Sequence, residues 1–283
     1  MTTRLAIPIA LRRYSRNPAS LIGAATVLVV VVAAVLAPYI TPFPEHAGTF
    51  VDFANMGQPP SSVHLLGTDL IGRDIFSRIL FGFRSSLLLA VIVLSIAVSF
   101  GTFVGLLAGY GSPATRTVLM YVIDIFLSLP SLLLAMAIIG LFRPSQIVAM
   151  MAVSVVWWPW YARLVGNLVW SIRREGFVLS AELVGASKAR IALLEILPNC
   201  IPSLLTKASI DMGLVVLLGA SLSFVGLGAP PPQPDLGTMV AEGASYLPEY
   251  WWLSISAGFA IFILVIGFNL VGDGLQDLFD AEQ

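Results

Sequence analysis

Apolar and polar positions alternate along this chain in blocks: long runs with few or no charges, separated by shorter polar segments. A helix rises 1.5 Å per residue, so about 20 apolar residues cross a hydrocarbon core roughly 30 Å thick. Runs of that kind occupy residues 21–40, 85–110, 117–142, 146–165, 201–227 and 251–271 and predict about six spans. The spans are helical because lipid offers no partner to an unpaired backbone group. Arg12, Arg13 and Arg16 precede the first run, as they would in a signal peptide. Its uncharged stretch exceeds the usual apolar region of about 7–15 residues, so it reads as an uncleaved anchor.

Composition excludes the soluble alternative. Charged residues make up 11% of the 283 and the AVILMFWYC set 58%, with a mean hydropathy of +0.92. Soluble domains carry about 25% charge, because their exterior needs a polar skin. Here the excess apolar surface faces lipid, and the chain reads as an all-α integral membrane protein. A net charge of −1 leaves no basic excess for nucleic-acid phosphates. A single cysteine, Cys200, forms neither an internal disulfide nor a Cys-based zinc site.

Loop charge sets the expected orientation. With the N-terminus cytoplasmic, inner segments hold Arg4, Arg12, Arg13, Arg16, Arg116, Arg163, Arg173, Arg174, Lys188, Arg190 and Lys207. Outer segments hold Arg73, Arg78, Arg84 and Arg143. Eleven of 15 basic residues then lie inside, and both termini are expected in the cytoplasm. The acidic tail of Asp273, Asp277, Asp280 and Glu282 weighs little in this rule. The chain divides into residues 1–84 (anchor and outer loop), a core of 85–276 containing an inner loop at 166–199, and a tail of 277–283.

In the inner loop, residues 177–184 have helical apolar spacing, broken by Gly185, Ala186 and Ser187. Ser187 is placed to cap a second short helix over 188–194, which Leu197-Pro198 should end. Such a helix–turn–helix makes a knob on the bilayer face, with Lys188 and Arg190 as polar contacts. The plain alternative is a surface loop anchored by basic residues. In the outer loop, Gly67 and Gly72 suit tight turns, while Asp69, Arg73 and Asp74 are spaced for ion pairs and helix capping. Ile75, Phe76, Ile79, Leu80 and Phe83 then repeat at helical spacing and predict an interfacial helix leading into the second span. This segment is either a structural brace or a docking surface.

Three further patterns lie within the spans. Gly101, Gly105 and Gly109 form a small-residue row that admits another helix, from this chain or from a partner. Pro130 and Pro159 should kink spans three and four. Trp157, Trp158, Trp160 and Tyr161 beside Arg163 read as an interfacial aromatic belt rather than a stacking site. Asp124, Lys207 and Asp211 are intramembrane charges and so candidates for a pathway or gate. Lys207 and Asp211 stand one turn apart and suit mutual neutralisation. For Asp124 the candidate partners are Arg116, Lys207 or another subunit. The plainer and preferred reading makes all three packing ion pairs near the inner mouth.

Catalysis finds little to work with. His46 and His64 are the only histidines, both in the outer loop and expected to be solvated, and no convincing nucleophile–base set can be assembled. Gly185-Ala186-Ser187-Lys188 lacks the spacing of a phosphate-binding G-x-x-x-x-G-K-[ST] loop. ATP-driven work would have to come from another polypeptide.

Several segments together carry a family resemblance. Ala181-x-x-x-Gly185 followed by Ile196-Leu197-Pro198 resembles the EAA loop of ABC-importer permeases, although Leu179 and Ser180 stand at the first two positions of Glu-Ala-Ala. Gly67-Thr68-Asp69, Gly72-Arg73-Asp74, Leu222 to Gly228, and Phe268 to Asp273 are similar to the second, C-type subunit of dipeptide, oligopeptide and nickel importers. The resemblance implies a type I ABC importer permease fold in a bacterial inner membrane, forming half of a pathway for peptides, with nickel or another small solute as the alternative cargo. It implies a coupling role for Ala181, Gly185, Ala186, Ser187, Lys188, Leu197 and Pro198. It also implies a homologous permease partner, two ATP-binding subunits that hold ATP–Mg, and an extracytoplasmic solute-binding protein. The rival reading, an ion-coupled transporter working alone, predicts repeated halves with matching broken helices. No repeat is visible in the sequence.

Overall fold

A computed structural model of the chain describes residues 17–280, so the N-terminal basic residues Arg4, Arg12, Arg13 and Arg16, and Glu282, lie outside the described residues. Nine helices account for most of it: α1 (Pro18–Ile40), α2 (Ile75–Tyr110), α3 (Pro113–Ser128), α4 (Ser131–Ile139), α5 (Gln146–Ile172), α6 (Gly176–Leu183), α7 (Lys188–Phe224), α8 (Leu236–Ala244) and α9 (Trp251–Asp280). Helices α1, α2, α5, α7 and α9 are each long and apolar enough to cross a membrane, and the bent pair of α3 and α4 makes a sixth candidate when the two are counted as one span. Among the described residues the one extended pairing is an isolated bridge between Thr68 and Asp74.

Local chemistry explains where the helices depart from the apolar pattern. The helix expected as a separate interfacial element is the first part of α2, a continuous 36-residue rod. Its length is about 54 Å, well beyond a bilayer core. Asp74 starts it by accepting a hydrogen bond from Ser77 N at 2.7 Å, and the outer loop buries Ser77 and Arg78. Pro130 breaks span three instead of kinking it. Leu129 before it is extended, as a residue preceding proline tends to be, and α3 and α4 meet at 88°.

The inner loop departs in the opposite sense. Pro198 does not end the helix that Ser187 caps. Residues Ile191–Ile196 form a π turn, with Leu197 N bonded to Ala192 O, and the helix continues to Phe224. The wider turn carries the chain past a residue that has no N–H of its own to donate.

Close helix packing centres on α2 and α5. The glycine row faces α5 of the same chain: a Cβ on Gly101 would lie 2.6 Å from Trp158 O, and one on Gly105 2.7 Å from Val165 Cβ. In lipid, where apolar contact alone drives little association, such backbone approach supplies the packing. It also corrects the reading of the aromatic cluster. Trp157, Trp158 and Tyr161 are interior residues, and Trp158 packs edge-on against Phe100 and Phe126. Only Trp160 of the four is exposed. Large exposed apolar side chains such as Leu28, Val29, Val35 and Phe259 lie on the outside of the bundle, where a lipid-facing surface belongs.

The two ends of the described chain meet. Asn17 caps α1 by accepting from Ala19 N at 3.0 Å and donates through Nδ2 to Asp277 Oδ2, also at 3.0 Å. The start of α1 and the end of α9 therefore share one end of the bundle.

Candidate functional site

Three sites follow from the sequence readings, the first being the knob. Helix α6 ends in a Schellman turn: Gly185 N bonds to Glu182 O at 3.0 Å and Ala186 N to Ala181 O at 3.1 Å. Gly185 has φ +79°, the left-handed conformation that this turn demands at that position. The hydrophobic contact that accompanies the turn falls to Ala181 and Ala186, both partly buried against the core. Ala181-x-x-x-Gly185-Ala186 is thus a helix-stop code as well as a motif.

Val178, Ile191 and Ile196 anchor the knob in the core, while Leu183 and Val184 at its tip are 88% and 84% exposed. Tyr110 at the end of α2 donates to Glu182 at 2.8 Å, and Arg173 donates to Gly109 O at 3.3 Å. The first bond ties the knob to α2, and the second ties the end of α5, from which the knob departs, to the same end of α2. Lys188 and Arg190 are exposed beside it.

The second site is the intramembrane charge pair. Lys207 Nζ lies 3.1 Å from Asp211 Oδ2 on α7, and Asp211 is buried. Trp157 Nε1 donates to the same carboxylate at 3.0 Å. The ammonium of Lys207 also lies over the rings of Trp160 and Tyr161. Lys207 and Asp211 line two cavities: one of about 350 Å³ that extends past Trp160 to Ser221, and one of about 380 Å³ bounded by Pro202 and Gln276. Asp124 does not join them. It pairs with Arg163 of α5, a partner absent from the candidates Arg116, Lys207 and another subunit. Arg116 instead stacks on Trp170 at 4.2 Å.

The third site is the outer-loop signature. Gly67 and Gly72 take φ of +81° and +84° in tight turns. Asp69 accepts from Ile71 N, Arg73 N and Arg73 Nε. Thr68 Oγ1 donates to Asn55 O and accepts from Gln58 N. The histidines expected in solvent are buried here, because the loop folds over them. His64 Nδ1 lies 3.0 Å from Asp74. His46 Nδ1 accepts from Asp74 N at 2.7 Å, with the ring stacked between Phe43 and Phe50. Burial pushes the His46 pKa below its ordinary 6.5.

Comparison with known proteins decides what these sites belong to. Residues 101–282 match the family described as binding-protein-dependent transport system inner membrane component, and residues 9–60 match the N-terminal TM domain of oligopeptide transport permease C. The chain belongs to this transport family. It is a multi-pass permease of the inner membrane, of the C type. It is 37% identical to the dipeptide transport system permease protein DppC of Haemophilus influenzae, over 95% of this chain and 92% of the relative. It is 36% identical to the probable D,D-dipeptide transport system permease protein DdpC of Escherichia coli, over 94% and 88%.

In fold, the permease resembles an inward facing conformation of the MetNI methionine ABC transporter, with a TM-score of 0.60 at 21% identity. That likeness covers 72% of this chain and 97% of the other. Several residues of the permease that complete these sites left no signal in the sequence: Arg163 as partner to Asp124, Trp157 as donor to Asp211, and the exposed tip of Leu183 and Val184. The two histidines were visible, but their burial depends on a loop with no periodic pattern.

Proposed function

We propose that this permease carries short peptides inward as half of a two-subunit pathway, powered by ATP–Mg bound in two partner subunits. The observation that carries the coupling role is the apolar tip of Leu183 and Val184, exposed on a helix that Gly185 terminates and Val178 anchors. An exposed apolar tip on a fixed element is a docking feature. In this reading, Ala181, Gly185, Ala186 and Ser187 shape the knob, and Lys188 adds a charged contact. Leu197 and Pro198 follow the π turn that joins the knob to α7. Force on the knob would reach α2 through Tyr110, α5 through the short connection that joins it to α6, and α7 through continuous helix.

The pair of Lys207 and Asp211, which lines both intramembrane cavities, is a candidate divide between the two ends of the pathway. Asp124 would steady α3 against α5. The end of the bundle that holds the knob, with both chain termini, would be cytoplasmic, leaving the signature of Gly67, Thr68, Asp69, Gly72, Arg73 and Asp74 to the side where the binding protein delivers cargo. Peptide as the cargo class is supported by the dipeptide relatives.

Proteoliposomes holding the full complex test this. Labelled dialanine should accumulate with ATP and the binding protein, and Leu183→Asp should abolish accumulation while leaving insertion intact. Uptake of nickel but not dialanine would overturn the cargo. Uptake by the permease alone on an ion gradient would overturn the class.

A further inference from the structure

Between the outer-loop signature and α8 lies a cavity of about 420 Å³ whose wall includes Asp69, Arg73, Arg78, Glu242 and Tyr246. Two guanidiniums enter that wall, and both side chains are more than nine-tenths buried: Arg73 is 6% exposed and Arg78 3%. They share one carboxylate. Asp69 is already filled by two backbone N–H groups and Arg73 Nε at 2.6 Å. Arg78 is left 3.7 Å from it, with one long bond of 3.4 Å to His46 O. A guanidinium carries five donors, and a buried one costs free energy until they are answered. Asp74, the next buried carboxylate, is occupied by His64 and the start of α2. Glu242 is exposed on α8; its charge acts on Arg78 across the cavity, but among the described residues it reaches no cation at ion-pair distance.

We propose that this cavity binds a carboxylate from outside the chain, held by the fork of Arg78 with Arg73 beside it. A planar carboxylate matches that fork in shape and charge. It answers the donors that Asp69 leaves free, and the cavity is large enough to admit more than the acid group alone. The proposal rests on the importer reading only for the source of the carboxylate. Two sources share the chemistry: the free α-carboxylate of a peptide, and an acidic side chain of the binding protein. Glu242, a like charge on the same cavity, opposes either one.

The test is equilibrium binding to the assembled complex in nanodiscs without nucleotide, in two arms. One arm titrates dialanine against dialanine amide; the other titrates the peptide-free binding protein. In the arm that reports the true source, Glu242→Gln should tighten binding about two- to fivefold, and Arg78→Gln should weaken it by at least about tenfold. In the peptide arm, dialanine amide should fail to bind. Glu242 is exposed, so its variant keeps the measurement decisive if Arg78→Gln does not fold. Absence of saturable binding in both arms, or binding that Glu242→Gln leaves unchanged or weaker in both, overturns the proposal. Wild-type uptake is scored separately, so failure of the importer reading is not confused with failure of the cavity.

Discussion

Lys207 and Asp211 stand one helical turn apart on α7 at 3.1 Å, and the carboxylate is buried while the ammonium is partly exposed. The pair is therefore asymmetric. Removing the lysine strands a buried charge with Trp157 as its remaining hydrogen-bond donor, whereas removing both groups strands only the uncharged indole N–H of Trp157, a smaller cost. Breaking a buried pair at one end costs about 3–5 kcal/mol, while replacing both ends with apolar groups is often near neutral. Lys207→Met should thus lower thermal stability in detergent markedly, and Lys207→Met with Asp211→Leu should recover most of the loss. If the double variant is stable but its ATP-driven uptake is lost, the pair acts in transport as well as in packing. Full uptake would leave it a packing pair.

Gly185 separates a backbone requirement from a contact. A Cβ there would meet nothing within 4 Å, yet φ is +79°. Any defect on substitution then arises from the turn or from a docked partner. Asn tolerates this conformation and a β-branched residue does not. Gly185→Asn should hold the turn, and Gly185→Val should strain it by about 1–2 kcal/mol. Stimulated ATPase activity of the reconstituted complex should fall in the order wild type, Asn, Val. Equal loss in both variants would mean that bulk at the tip, rather than backbone shape, is what the partner rejects.

The glycine row offers a controlled comparison. Gly101→Ala places its methyl against backbone of α5 and must push two helices apart, whereas Gly258→Ala on α9 meets nothing within 4 Å. Overpacking of this kind costs about 1–3 kcal/mol. Gly101→Ala should lower the melting temperature and the monodisperse yield in detergent, and Gly258→Ala should match wild type. Equal melting temperatures would show that α2 and α5 part without penalty.

These contrasts mark where sequence reading succeeds. The membrane spans, the pairing of Lys207 with Asp211, the turns at Gly67 and Gly72 and the capping by Asp74 are short-range or compositional, and were legible. Asp124 was not, because its partner Arg163 lies on another helix and only three-dimensional packing selects it. The aromatic cluster was misread for a related reason. Trp157 and Tyr161 look interfacial until the glycine row of α2 draws α5 inward. The helix that begins at Ile75 was legible from its apolar spacing, but its continuity with the second span was not, because Arg84, Ser85 and Ser86 interrupt the apolar run.

His46 gives the outer loop a direction in pH. Its Nδ1 accepts from Asp74 N, a bond that requires an unprotonated nitrogen, and burial holds its pKa below 6.5. Above about 6.5 the imidazole is neutral whether the loop is closed or open, and the closed state has its full stability. As pH falls below that value the open state takes up a proton that the closed state resists, so stability drops until the depressed pKa is passed. Hydrogen exchange at the Asp74 amide, corrected for its intrinsic rate, should therefore accelerate between pH 7.5 and pH 5.5 (values chosen about one unit either side of the free imidazole pKa). His46→Asn keeps an acceptor near the same place without titrating, and should flatten that dependence. An acceleration of the same size in His46→Asn would assign the effect to another group.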